Sequence, residues 1–105
     1  MAKLVTVATV DEIPAGQAIT VMLDDYDILI AHVEGEGYFA IDDVCTHDDG
    51  PLGEGELCGY AVECPRHGAT FDVRSGEALT LPAIQPVRPF RVVVDGDEIK
   101  VALPE

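Results

Sequence analysis

Two short stretches, CTH at residues 45–47 and CPRHGATF at residues 64–71, decide how this sequence is interpreted. Each begins with a cysteine and has a histidine two or three residues later. The whole chain has three cysteines and three histidines, so two of each are found in these stretches. Thiolates and imidazoles are the side chains that bind zinc, copper and iron. The pairing predicts that the two stretches meet at one metal centre.

The chain around these stretches has the composition of loops. Residues 42–59 read DDVCTHDDGPLGEGELCG, and a short strand at Tyr60–Glu63 leads from there into the second stretch. Glycines let a backbone curl closely around a bound group and point N–H groups at it. We expect two liganding loops in a region of about residues 43–82, bridged by a short strand.

The rest of the chain shows short strands with turn signals between them and no helical periodicity with caps. Asp95-Gly96-Asp97 is a tight-turn signal between two apolar runs and predicts a hairpin. We predict a single domain over residues 1–105 with an all-β fold, an antiparallel β-sandwich or partly open barrel with the two loops at one end. The predicted strands cover 4–7, 18–23, 27–33, 38–41, 90–94 and 98–101.

Charge excludes several classes of partner. The chain has 20 acidic and 6 basic residues and a formal net charge of −14. Binding to nucleic acid or to an anionic membrane surface requires lysine and arginine, so neither is expected. The N-terminus has no signal-peptide pattern, and no apolar run is long enough to span a membrane. We therefore expect a cytoplasmic protein, and a monomer at this size.

Two metal centres accept two thiolates and two imidazoles. A Cys₂His₂ zinc site is one, although zinc fingers place the two cysteines together, the two histidines together, and a helix after them. A [2Fe–2S] cluster with two cysteines on one iron and two histidines on the other is the second. Here each loop supplies one of each residue, which favours the cluster.

The spacing resembles that of the Rieske iron–sulfur proteins. Cys-X-His, sixteen residues, Cys-X-X-His and then Gly-Ala-X-Phe-Asp is the pattern, and the similarity extends over most of the chain. The resemblance implies a Rieske fold with one [2Fe–2S] cluster per chain. By the same resemblance, Cys45 and Cys64 bind the inner iron and His47 and His67 bind the outer iron. Residues 81–83, Leu-Pro-Ala, match the proline-containing loop that covers the cluster.

Departures from the pattern indicate which kind of Rieske protein this is. Quinol-oxidising Rieske proteins have an extra disulfide between the loops and a serine after His-Gly, whereas this chain has Gly50, Arg66 and Ala69 there. Fewer hydrogen bonds to a cluster lower its potential, so we expect a value near the low end of the Rieske range. The chain is similar to small Rieske ferredoxins, which are electron carriers rather than enzymes. That implies a flavin-dependent reductase and a terminal oxygenase of the aromatic-ring dioxygenase type as partners, docking at the cluster tip.

Other functions remain open at this point. A Rieske accessory subunit, similar to the small subunit of nitrite reductase, would use the same fold. A ferredoxin linked to iron–sulfur assembly would use the same cluster. A structural zinc module is a third alternative and predicts a colourless protein.

Residues outside the ligand set carry further expectations. An acidic ring around the loops would steer a basic partner, or would simply solvate the surface. Cys58 is expected to be a buried core thiol, and His32 a structural or surface histidine. Asp72 and Arg74 either tie down the second loop or lie on the surface. The acids of the ring are Asp48, Asp49, Glu54, Glu56 and Glu63, and the aromatics expected in the core or around the cluster are Tyr38, Phe39, Tyr60, Phe71 and Phe90.

Overall fold

A computed structural model describes residues 2–23, 26–43, 57–63, 70–79 and 87–104. Its strands in chain order are β1 (Ala2–Thr9), β2 (Ala18–Leu23), β3 (Tyr26–Val33), β4 (Gly37–Asp42), β5 (Leu57–Cys58), β6 (Ala61–Glu63), β7 (Thr70–Asp72), β8 (Pro89–Phe90), β9 (Val92–Asp95) and β10 (Glu98–Pro104). All strand pairs are antiparallel. They form three sheets that are not closed into a barrel. The predicted all-β architecture is confirmed.

The central sheet has the strand order β2-β3-β4-β8 and is covered on both faces. Its strand β3 contains Ile28, Leu29, Ile30 and Ala31, none of which is exposed to solvent. Because side chains alternate along a strand, Leu29 and Ala31 point to one face and Ile28 and Ile30 to the other. A continuous apolar run is what a strand buried on both faces requires.

One face of the central sheet packs against the sheet β1-β10-β9, which we call the terminal sheet. The predicted Asp95-Gly96-Asp97 hairpin joins β9 to β10, with Gly96 at a φ of +65°. The predicted strand 90–94 is divided in the structure. Phe90 pairs with Ala40 in the central sheet, and the chain crosses to the terminal sheet at Arg91.

The other face packs against the sheet β5-β6-β7, which we call the small sheet. The apolar core between these two sheets consists of Leu29, Ala31, Val33, Ile41, Val62, Phe71, Val73 and Val87. The small sheet contains the predicted short strand between the loops, here β6. The central sheet therefore separates the terminal sheet from the part of the fold that leads into the predicted loops.

The turn predicted between the first two strands contains a 3₁₀ helix at Val10–Glu12. The Glu12 carboxylate accepts hydrogen bonds from the N–H and the hydroxyl of Thr9, each at 3.1 Å. Ile13 follows and is fully buried against the terminal-sheet core. In the described ranges, no helix has the length and apolar character needed to cross a membrane.

Candidate metal centre

The small sheet brings the predicted loops to one of its ends. Leu57 pairs with Val62, and Val62 pairs with Phe71. Because the strands are antiparallel, β5 begins, β6 ends and β7 begins at the same end of the sheet. We call it the loop end. The segments 44–56 and 64–69 both join the sheet there.

The segment 64–69 is closed at its base by the pair Glu63 and Thr70. A third segment, 80–86, also leaves from the loop end, because the N–H of Leu79 donates to the carbonyl oxygen of Thr70 at 2.8 Å. It returns at Val87, whose N–H donates to the carbonyl oxygen of Gly76 at 2.8 Å. These are the three segments that the sequence assigned to the two ligand pairs and the covering proline.

The four predicted ligands, Cys45, His47, Cys64 and His67, lie outside the described residues. So do Gly50, Arg66 and Ala69, the segment 81–83 and four of the five predicted acids. Within the described part of the chain, no group of three or more histidine, cysteine or carboxylate side chains is placed to hold a metal ion. Two thiolates and two imidazoles on segments that join one end of a sheet are a donor set that suits a mixed-ligand [2Fe–2S] cluster.

Apolar packing lies directly beneath the loop end. Leu57, Val62 and Phe71 occupy one row of the small sheet and pack against the central sheet. Phe71 is completely buried, as predicted for a core aromatic. Tyr60 differs from the prediction, because it lies in the β5–β6 turn and is 41% exposed. Its neighbour there is the Arg74 guanidinium, 3.9 Å from the ring centroid.

Asp72 and Arg74 form the turn that follows β7. The Arg74 backbone N–H donates to Asp72 Oδ1 at 2.8 Å, and the guanidinium donates from Nε to Oδ1 and from Nη2 to Oδ2, both at 3.1 Å. Burial raises the pKa of Asp72, but the hydrogen bonds and positive charge of Arg74 outweigh that effect, so the pKa lies below its usual value. The same hydrogen bonds raise the pKa of Arg74. Both groups are therefore charged at neutral pH, and their hydrogen bonds close the turn that follows β7.

Two other predictions concern single residues. The prediction that Cys58 is buried is wrong, since its side chain is exposed. Leu57 and Cys58 alternate along β5, so only Leu57 reaches the core. His32 is structural, as predicted: its Nδ1 lies 2.8 Å from the carbonyl oxygen of Ile13, and its ring stacks on Tyr38 with 4.1 Å between the ring centroids.

Two positions that contribute to this region were not predicted from the sequence. Glu36, in the turn between β3 and β4, lies 3.3 Å from the Arg74 Nη1 atom. Gly76 has a φ of +81° and leaves no space for a side chain beside Val87. The Arg-Ser-Gly sequence at 74–76 is a turn signal that could have identified Gly76. Nothing local could have identified Glu36, which is 38 residues from Arg74.

Comparison with known families decides between the two kinds of metal centre. The sequence model of the Rieske [2Fe-2S] domain matches residues 3–91. The chain belongs to the Rieske family. This confirms the predicted cofactor, a Rieske-type [2Fe–2S] cluster.

The relatives and solved structures to which this Rieske protein is similar include ferredoxin components of dioxygenase systems. The 3-phenylpropionate/cinnamic acid dioxygenase ferredoxin subunit of Photorhabdus laumondii is 43% identical over 100 residues, which cover 94% of this chain and 93% of that subunit. The ferredoxin of carbazole 1,9a-dioxygenase from Nocardioides aromaticivorans superposes with a TM-score of 0.92 at 36% identity, covering 97% of this chain and 99% of that one. A structure of the complex of reduced oxygenase and oxidized ferredoxin in carbazole 1,9a-dioxygenase matches with a TM-score of 0.89 at 31% identity, over 94% and 92% of the two chains.

Proposed function

We propose that this Rieske protein passes single electrons from a flavin-dependent reductase to a terminal oxygenase of the aromatic-ring dioxygenase type. The observation that carries the proposal is the match to dioxygenase ferredoxins over nearly the whole length of both chains. It favours this function over an accessory subunit of another redox enzyme and over a role in iron–sulfur assembly. The protein is an electron-transfer component and not itself the enzyme.

The proposed ligands are Cys45 and Cys64 on the inner iron and His47 and His67 on the outer iron. When bound, the cluster accepts and donates one electron, and neutral imidazoles make it easier to reduce than a cluster with four thiolates. Support comes from the small sheet, which joins both ligand-bearing segments at its loop end. With glycine, arginine and alanine at positions 50, 66 and 69, we propose a potential near the low end of the Rieske range, about −150 mV.

We propose that both partners dock at the loop end, one after the other. Glu63 is exposed there, and four further acids lie in the adjoining segment 44–56. Carboxylates around a redox centre attract a basic docking face and raise the rate of encounter.

We also propose that the protein is a one-domain monomer of the cytoplasm, where a reducing environment keeps the exposed Cys58 and the thiolate ligands free of disulfides.

An EPR-monitored redox titration of the anaerobically purified protein tests the cluster and its potential. We expect a rhombic Rieske signal with a midpoint near −150 mV. A midpoint a few hundred millivolts higher would contradict the argument from positions 50, 66 and 69. A colourless, folded protein without the signal would favour the zinc module.

Substitution of cysteines tests the ligand set. Cys64→Ser is expected to abolish the Rieske signal, because a hydroxyl is a poor replacement for a thiolate on iron. Cys58→Ser is the matched control, since Cys58 is exposed, and it should keep the signal unchanged. Loss of the signal in the Cys58 variant, or its retention in the Cys64 variant, would contradict the proposed ligands.

The proposed partners are tested by measuring whether this protein, when a reductase supplies the electrons, reduces a dioxygenase.

A further inference from the structure

The segments that carry the two proposed ligand pairs begin in different sheets, although both end in the small sheet, the first of them at Leu57. The segment 44–56 starts after Asp43, whose N–H donates to the carbonyl oxygen of Asp27 in the central sheet at 2.9 Å. The segment 64–69 starts and ends in the small sheet, at the pair Glu63 and Thr70. Cys45 and His47 are two and four residues from Asp43 but twelve and ten residues from Leu57, so the central sheet is the nearer anchor of the first pair. A shift of the small sheet against the central sheet would therefore move the second ligand pair relative to the first.

Apolar packing supplies part of the alignment of the two sheets. The core between them is built from aliphatic residues and Phe71, whose close packing resists large shifts. Hydrophobic association is itself non-directional, so a directional contact between groups on the two sheets would make the alignment more precise.

Arg74 makes a contact of that kind. Its Nη1 atom lies 3.3 Å from Oε1 of Glu36, which is in the turn between β3 and β4 of the central sheet. The rest of the guanidinium is held on the small-sheet side, by both carboxylate oxygens of Asp72 and by the ring of Tyr60. One planar group thus connects the turn after β7, the β5–β6 turn and the β3–β4 turn. Lysine, with a single ammonium group, cannot make these contacts together.

We propose that Arg74 is a positioning residue for the iron–sulfur cluster, acting by aligning the small sheet, with its ligand pair, on the central sheet. The proposal rests on the ligand set given under the proposed function. Arg74 lies in the turn after β7 and is not itself proposed to touch the cluster. Its role is to keep the two ligand pairs at a constant separation, and so to keep the cluster bound and its surroundings uniform.

Two variants test this alignment in the cluster-loaded protein. Glu36→Gln weakens the contact between the sheets and leaves Arg74 on Asp72 and Tyr60. Arg74→Lys keeps the charge and loses the fork geometry. The matched control is Asp95→Asn, which removes a carboxylate from another 3.3 Å ion pair, with Lys100 on the terminal sheet. The readouts are the rate of cluster loss to an excess of iron chelator, followed by visible absorbance, and the width of the EPR lines.

We expect cluster loss to be about fivefold faster in Glu36→Gln and Arg74→Lys than in the wild type, with broader EPR lines. Asp95→Asn should match the wild type in both readouts. A merely structural role would lower the melting temperature and leave the rate and the line width unchanged, and that result would overturn the proposal. If Arg74→Lys does not fold, Glu36→Gln decides the question by itself. A wild-type protein without a Rieske signal would contradict the proposed function first, before the variants are compared.

Discussion

At the scale of single residues, Gly76 shows how closely the turn after β7 is packed against Val87. A Cβ atom placed on Gly76 would lie 2.0 Å from the carbonyl oxygen of Val87, and its φ of +81° is one that other residues rarely adopt. The carbonyl oxygen of Gly76 accepts the N–H of Val87. This contact fixes the point at which the chain returns from segment 80–86.

Gly76→Ala is expected to destabilise the protein by about 3 kcal/mol, because the free-energy cost of the strained φ and that of the collision with Val87 add together. Thermal unfolding followed by circular dichroism measures the effect, as a fall of more than about 10 °C in melting temperature. Gly96→Ala is the control. Its φ is also positive, but nothing lies within 4 Å of the added Cβ, so only about 1 kcal/mol should be lost. Equal losses in the two variants would contradict the packing argument.

The ion pair of Asp72 predicts how the stability of the protein depends on pH. Its pKa is lowered in the folded protein, so its ion pair stabilises the fold above the ordinary carboxyl pKa of 3.8, and the stabilisation is lost as the pH falls through the lower folded value. Asp72→Asn should cost about 1 kcal/mol at neutral pH. The difference in melting temperature between wild type and variant, measured from pH 7 to pH 3, should shrink below about pH 4. A difference that stays constant over this range would show that Asp72 does not act through its charge.

At the scale of elements, β3 determines how the layers are joined. Leu29 packs towards the small sheet and Ile30 towards the terminal sheet, and neither is exposed. The strand therefore couples the two cores, and unfolding of one is expected to disturb the other.

Leu29→Ala is expected to cost about 2–5 kcal/mol, since it leaves a cavity between the central and small sheets. Met22→Ala in the neighbouring strand β2 is the control, because Met22 is 80% exposed and should change stability by less than about 0.5 kcal/mol. Melting temperatures of the two cluster-loaded variants make the comparison. We also expect faster cluster loss in the Leu29 variant, and an unchanged rate there would mean that the cavity does not reach the loop end.

At the scale of the whole molecule, charged residues are distributed differently over the terminal sheet and the loop end. The net charge is −14. Half of the six basic residues belong to the terminal sheet or directly precede one of its strands: Lys3 in β1, Lys100 in β10 and Arg91 before β9. The loop end is joined by a segment rich in carboxylates. The terminal sheet and its hairpin also contain Asp95, Asp97 and Glu98, so its charges balance, whereas segment 44–56 has four acids and no lysine or arginine. Negative charge is therefore more concentrated in the segment that joins the loop end, and we expect this to favour the approach of a basic partner there.

Electron transfer from the reductase should slow about tenfold as ionic strength rises from about 0.05 M to 0.5 M, because salt screens steering between exposed charges. Stopped-flow absorbance of the cluster measures the rate. Photoreduction by a neutral deazaflavin is the control and should be independent of salt. If the reductase reaction is also independent of salt, the acids only solvate the surface.

Local sequence patterns were enough to predict most of the strands, the family and the chemistry of the donor set, whereas β7 was not predicted. Alternating and continuous apolar runs, the Asp-Gly turn and the Cys/His spacing are local patterns, and each depends on residues close together in the chain. The identity of the four ligands comes from that spacing and remains a prediction. Features that depend on residues far apart in the chain could be seen only in the folded structure. Cys58 is exposed because β5 turns it away from the central sheet, the predicted strand 90–94 is divided because two sheets share it, and Arg74 meets Glu36 because packing of the two sheets brings their turns together.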